Sequence, residues 1–218
     1  MGGDVRAFRA ELEAKLRSWV SGAEVRRRID EAGLVAVLRS GEFKRLAATE
    51  TSGSGVTNPR TRANDEERIF GIEVSAPPDT RPVYCYLEGS DEAGAITSYG
   101  PILLAFHHTV RSRATFVLGD TRDATLMAPV FAPVPLLDPS IDAFSNAQKN
   151  LLDAQVLADA CAGGYRYAEV QVHDGVSAAD ISRVVYTRGV EPSPEAADLL
   201  RRAGLQPICV SGDDPTSA

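Results

Sequence analysis

Apolar residues near the start of the chain recur four apart: Phe8, Leu12, Leu16 and Val20, with Trp19 beside the last. That spacing puts them on one face of a helix over residues 5–20, with charged residues on the other face. Such a helix packs on its own domain or binds a partner. A second helical pattern runs from Glu24 to Arg39, with Val25, Ile29, Val37 and Leu38 apolar. Gly33 inside it lowers helix stability, so the stretch reads as one helix or two short ones. Gly41 is the C-terminal stop. These positions predict an N-terminal helical arm over residues 1–41, an α+β domain over 42–210 and a flexible tail over 211–218.

The pattern then changes. Ala47 to Asn64 is small and polar and reads as a long loop, followed by a short helix over Asp65–Phe70. Val83-Tyr84-Cys85-Tyr86-Leu87 alternates, with the tyrosines on one face and the apolar residues on the other. Ile102–Phe106 and Thr115–Leu118 are further strands. Gly119-Asp120-Thr121 reads as a turn, and Pro129–Pro139 as irregular chain. Ser145–Cys161 is the clearest helical pattern, with Leu151, Leu152, Val156 and Ala160 inward and Gly163-Gly164 as its end. A strand over Tyr167–Val172 follows. Ser177-Ala178-Ala179-Asp180 has the form of a capping box before a strand over Val184–Tyr186. Ser193-Pro194-Glu195 opens a helix that Gly204 closes, and Gln206–Val210 is a last strand. The strands do not alternate strictly with helices. The expected class is therefore α+β, N-terminal helices followed by a mixed or antiparallel β core, rather than a doubly wound sheet.

Composition narrows the function classes. The chain has 218 residues, and 23 basic against 30 acidic side chains give a formal charge of -7. Nucleic-acid binding is not favoured by that balance, although arginines cluster at Arg26-Arg27-Arg28, at Arg60 and Arg62, and elsewhere. Cys85, Cys161 and Cys209 form no CxxC, which argues for reduced thiols and against a zinc ribbon. No charged start precedes an apolar run, and no stretch is long enough to span a bilayer. A cytoplasmic protein without a membrane partner is expected, and leaderless delivery is compatible with the same sequence.

The candidate chemistry lies on the Tyr167–His173 segment. Alternation places Tyr167, Glu169, Gln171 and His173 on one face and Ala168, Val170 and Val172 on the other. Either the strand is an edge or solvent-facing strand with an ordinary polar face, or these groups line a cleft. In a cleft, a carboxylate holds a ribose hydroxyl or stabilises a developing cation. The loop Thr49–Gly55, flanked by Lys44, Arg45, Arg60 and Arg62, is either a flexible linker or an anion cradle. It lacks the nucleotide-triphosphate and dinucleotide-binding fingerprints. Tyr84 and Tyr86 offer flat faces for a base or nicotinamide, or pack under a helix. His107 and His108 point oppositely on a strand, so no metal site is expected.

The segment Gly164-Tyr165-Arg166-Tyr167-Ala168-Glu169-Val170-Gln171-Val172-His173-Asp174-Gly175-Val176 resembles the signature of an uncharacterised bacterial domain family similar to the ADP-ribosyltransferase fold. Gly41–Arg45 with Glu50–Ser54, and Arg81–Leu87 followed by Tyr99-Gly100, resemble other parts of such domains. The resemblance implies NAD as substrate, Glu169 as catalytic acid on a late strand, and Gln171 and His173 placing the acceptor or water. It also implies Arg45, Thr51, Ser52 and Ser54 with Tyr84 and Tyr86 as substrate-binding residues, in the order arginine, Ser-x-Ser, glutamate. An acceptor, expected to be a protein, would receive ADP-ribose in a toxin-like or modifying reaction. Arginine-acceptor enzymes of that fold carry E/Q-x-E, whereas here the order is Glu169-x-Gln171. The alternatives are a non-catalytic binding module on the same fold, and a hydrolase using His173 as general base.

Overall fold

A computed structural model describes residues 5–44, 58–88, 99–118, 134–140, 168–187 and 189–210. The expected helix over Ser145–Cys161, the turn at Gly119–Thr121, the Thr49–Gly55 loop, Tyr167 and the tail lie outside the described residues. The described part is α+β. In chain order it runs α1 (Val5–Gly22), β1 (Glu24–Ile29), α2 (Glu31–Ser40), α3 (Pro59–Phe70), β2 (Val83–Glu88), β3 (Ile102–Phe106), β4 (Ala114–Leu118), β5 (Val134–Pro135), β6 (Ala168–Val172), β7 (Ile181–Tyr186), α4 (Pro194–Arg202) and β8 (Pro207–Cys209). No helix among the described residues is long and apolar enough to cross a membrane.

The described strands form one mixed eight-stranded sheet in the order β5-β4-β6-β2-β1-β3-β7-β8. Neighbours are antiparallel except β7 and β8, which are parallel. The second helical pattern is corrected by this order. Glu24–Ile29 is a strand between β2 and β3, and the helix begins only at Glu31. The N-terminal segment expected to be a helical arm thus carries a central strand. Val25 and Ile29, four apart, satisfy a helical period and also, as odd-numbered positions, a strand face. The Asp30 side chain marks the change: it accepts from the Gly33 amide at 2.7 Å and caps α2. Gly33 therefore falls in the first turn rather than mid-helix, and Gly41 ends α2 at φ 80°. Gly100 meets the same C-terminal end of β1, where a Cβ would lie 2.4 Å from the Ile29 carbonyl carbon.

The polar loop also ends earlier than its composition predicts. Asn58 accepts from the Arg60 amide and Pro59 takes the first helical position, so α3 starts there rather than at Asp65. Among the described residues the other expected strands and helices hold within a few residues. Val134–Pro135, however, in the stretch expected to be irregular, pairs with β4. His107 and His108 lie beyond the end of β3, His108 opening a 3-10 turn. Ser177 and Asp180 close their capping box, with the Ser177 amide donating to Asp180 Oδ2 at 2.8 Å. The Ser193 side chain caps α4.

One face of the sheet is apolar. Val25, Cys85, Leu87, Leu104, Phe116, Val170 and Val184 project from it into a single buried cluster with Leu16 and Val20 of α1, Leu34 and Val37 of α2 and Leu200 of α4. Burial pushes the Cys85 thiol up to about 12, with Arg27 opposing, so it is an inert core group. The opposite face carries the polar side chains of the same strands, and α3 lies across it. Phe116→Ala is expected to cost about 3–5 kcal/mol through the cavity it leaves. Asp30→Ala should cost only about 1 kcal/mol through the lost cap. Urea unfolding of the two variants checks that ranking.

Candidate functional site

The polar face is assembled by register. Tyr86 lies opposite Glu169, and Tyr84 opposite Gln171, across β2 and β6. On the far side of β6, Val117 faces Glu169 and Thr115 faces Gln171. Arg26 of β1 faces Tyr86 in turn, so Arg26, Tyr86 and Glu169 form one row across three strands. At ordinary strand spacing, that row sets the backbone of Arg26 roughly 10 Å from that of Glu169.

The reading of Tyr167–Val172 as an edge or solvent-facing strand is corrected here. β6 is paired on both sides, and Glu169 and Gln171 are 2% and 0% exposed. Two-sided burial of a carboxylate costs several kcal/mol unless charge and hydrogen bonds offset it. The offset comes from α3. Arg62 Nη1 lies 3.9 Å from Glu169 Oε1, and the Arg62 guanidinium sits over the Tyr84 ring at 4.1 Å from its centroid. The Gln171 side-chain amide donates to Glu169 Oε1 at 3.0 Å.

One helical turn beyond Arg62, Glu66 accepts the Tyr84 hydroxyl at 2.9 Å on Oε1. Its other oxygen accepts from Arg81, and both side chains of that ion pair are buried. Arg81 also donates to the carbonyls of Glu73, Val74 and Ala76, tying the chain after α3 to the start of β2. Burial, above all, holds the Tyr84 phenol well above its ordinary range; Arg62 opposes this, and Glu66 and Glu169 add to it. The phenol therefore stays protonated and donates to Glu66.

His173 follows Gln171 on the same face, just past the end of β6. Its Nε2 is 3.0 Å from Thr115 Oγ1, and its ring meets Phe70 of α3 edge-on at 5.8 Å. Asp174 then turns the chain through a left-handed φ of 60°. Desolvation lowers the His173 pKa, with Asp174 pulling the other way.

The structure thus brings together Glu169, Gln171, His173 and Tyr84, with Tyr86 on the same face. Arg45, Thr51, Ser52 and Ser54 lie outside the described residues. Residue patterns alone did not assign Glu66, Thr115, Arg26 or Arg28 to this face, and placed Arg62 only among the cations around a loop. The Asn58-Pro59 start signal would have put Arg62 and Glu66 on one helix face, four residues apart. Arg26 and Arg28 are 7% and 4% exposed, and no sequence signal distinguishes them from solvent-facing arginines.

Two stability predictions follow from these partners. Glu66→Ala leaves Arg81 buried without its carboxylate and should cost about 3–5 kcal/mol. Adding Arg81→Met should recover part of that loss, as read by urea unfolding of the single and double variants. For His173, the unfolded state binds a proton near pH 6.5 while the folded state takes it up only at lower pH. Stability should fall as pH drops through about 6.5 towards the folded value. Comparing unfolding midpoints of wild type and His173→Gln across that range tests the slope, which the variant should lack.

No family model matches the sequence. The chain is 28% identical over 214 residues to the Gene 2 protein of Mycobacterium phage L5, covering 91% of this chain and 77% of that protein. It is 33% identical over 183 residues to the Gene 2 protein of Mycobacterium phage D29, covering 78% of this chain and 66% of that protein. The chain is therefore similar, over most of its length, to proteins of two mycobacteriophages.

Proposed function

We propose that the chain is an ADP-ribosyltransferase-like enzyme that cleaves the nicotinamide–ribose bond of NAD and transfers ADP-ribose to an acceptor. The observation that carries this reading is the place Arg62 occupies. A planar, delocalised cation lies on the Tyr84 ring with the Glu169 carboxylate 3.9 Å away. Oxidised nicotinamide is also a planar cation, and its ribose is where positive charge grows as the ring leaves. A site that holds the guanidinium on an aromatic face beside a carboxylate offers the same recognition to that ring.

In this reading the α3 end of Arg62 moves aside and the nicotinamide takes its place on Tyr84. The glycosidic bond breaks with its electron pair going to the nicotinamide nitrogen, which leaves as a neutral ring. Glu169 stabilises the oxocarbenium-like ribose, and the acceptor's nucleophile closes on the same carbon and releases its proton to solvent water. Arg26 and Arg28 stand on the same sheet face, Arg26 paired with Glu24 at 2.9 Å and Arg28 donating to the Gly100 carbonyl; in this reading they exchange those partners for the diphosphate. The likeness of Gly164–Val176 to the ADP-ribosyltransferase-type signature, with Glu169 on an interior strand, supports the assignment of the fold type as well.

The near-complete burial of Glu169, with Arg62 3.9 Å away, favours one other reading, a binding module of the same fold that never opens to NAD. One comparison separates the two. Purified protein should release nicotinamide from NAD, and Glu169→Gln should lower that rate by about 100-fold or more with the circular dichroism spectrum unchanged. Undiminished release in the variant rejects the role of Glu169. A folded wild type that shows no heat of NAD binding in calorimetry leaves the module.

A further inference from the structure

Thr115, Gln171 and His173 are linked side chain to side chain, and the proton count along them permits one direction only. Glu169 beside Arg62 is a carboxylate, which accepts hydrogen bonds and donates none. The Gln171 amide nitrogen must therefore be the end that faces it, at 3.0 Å. That choice turns Gln171 Oε1 towards Thr115, whose hydroxyl lies 3.2 Å away. An amide oxygen only accepts, so the single Thr115 proton is committed to Gln171. The remaining contact of the hydroxyl, at 3.0 Å to His173 Nε2, then has to be an N–H donated by the ring.

We infer that His173 and Thr115 are positioning residues, the donor end of a one-way hydrogen-bond chain that fixes the Gln171 amide and aims its N–H at Glu169. His173 Nε2 carries the proton and is spent in this bond, so it does not serve as a general base at that atom. The role of Gln171 at the second position of the Glu169-x-Gln171 pair follows from the same chain. It holds the carboxylate in place where a second acid would repel it. Buried between β4 and β2, the amide has no room to trade its two ends without breaking both contacts.

The direction of the chain stands on hydrogen-bond chemistry alone, whereas its effect on turnover rests on the ADP-ribosyltransferase reading. The test uses the full chain labelled with 15N-histidine, with the His173 signals assigned by their loss in His173→Gln. Above the titration of the ring, wild type should show the Nε2–H tautomer. Thr115→Val, which keeps the shape and removes the hydroxyl, should give a mixture of tautomers. Thr115→Ser should restore the wild-type spectrum. In nicotinamide release, Thr115→Val should lower kcat about 10-fold with KM little changed, a loss of about 1.4 kcal/mol in the barrier, and Thr115→Ser should recover it. An Nδ1–H tautomer in wild type, or one unmoved by Thr115→Val, overturns the chain. The expected tautomers with an unaltered kcat in Thr115→Val overturn the positioning role. The expected tautomers with no nicotinamide release by any form uphold the chain and remove the enzymatic reading instead.

Discussion

Two carboxylates, Glu66 and Glu169, lie buried between α3 and the polar face of the sheet, and the layout of that face follows from what keeps them there. Each meets a cation: Arg81 for Glu66 and Arg62 for Glu169. Each also takes a hydrogen bond from a side chain of a central strand, Tyr84 on β2 and Gln171 on β6. Because Arg62 and Glu66 are one turn apart on α3, one helix supplies a cation and an anion to adjacent positions of the sheet. A shift of the helix by one residue would swing both groups about 100° around its axis and break every one of these contacts together. Such a network is weak evidence for net stability, since an apolar replacement of similar shape often does as well. Its consequence is specificity, for it determines which side of α3 meets the sheet and at what height.

The same constraint explains why the two faces of the sheet differ so much. On the apolar face, α1, α2 and α4 are held by area, and many small adjustments of side chains leave the energy nearly unchanged. On the polar face, a displaced partner leaves a buried charge or donor without compensation, which is far more costly than a poorly filled contact. The apolar face therefore gives the fold its bulk stability, while the polar face holds Tyr84, Gln171 and Glu169 in one arrangement. That division suits a site whose groups must stand at fixed distances.

Where polarity agreed with exposure, the fold was legible from residue patterns. The strands at Val83–Leu87 and Ala168–Val172 follow from alternation, Ile102–Phe106 and the Val184–Tyr186 half of β7 are also expected as strands, and α4 follows from Ser193-Pro194. Legibility failed where charge is buried. The sequence Glu24-Val25-Arg26-Arg27-Arg28-Ile29 presents four charged residues, which read as the wet side of a helix, yet Arg26 and Arg28 face the interior from a central strand. The loop expected to run to Asn64 hid the first half of α3, because Asn58 and Pro59 are loop-forming residues everywhere except at a helix start. Alternation did put Glu169, Gln171 and His173 on one face. It carried no information on pairing, so an interior strand and an edge strand looked alike.

The burial of that face also bears on how chemistry would be controlled there. A carboxylate at 2% exposure cannot meet a substrate while Arg62 and α3 cover it, so the covered arrangement is a resting one in any catalytic reading. Opening need not disturb the Glu66–Arg81 pair, which lies a turn further along α3 and is tied through Arg81 to the carbonyls of Glu73, Val74 and Ala76. The N-terminal turn of α3 carries Arg62 and the C-terminal part carries the anchor. A helix fixed at its far end and released at its near end can expose Tyr84 and Glu169 while keeping its register on the sheet. In that reading the division also separates the two carboxylates by task, with Glu66 as the anchor of the cover and Glu169 as the group beneath it.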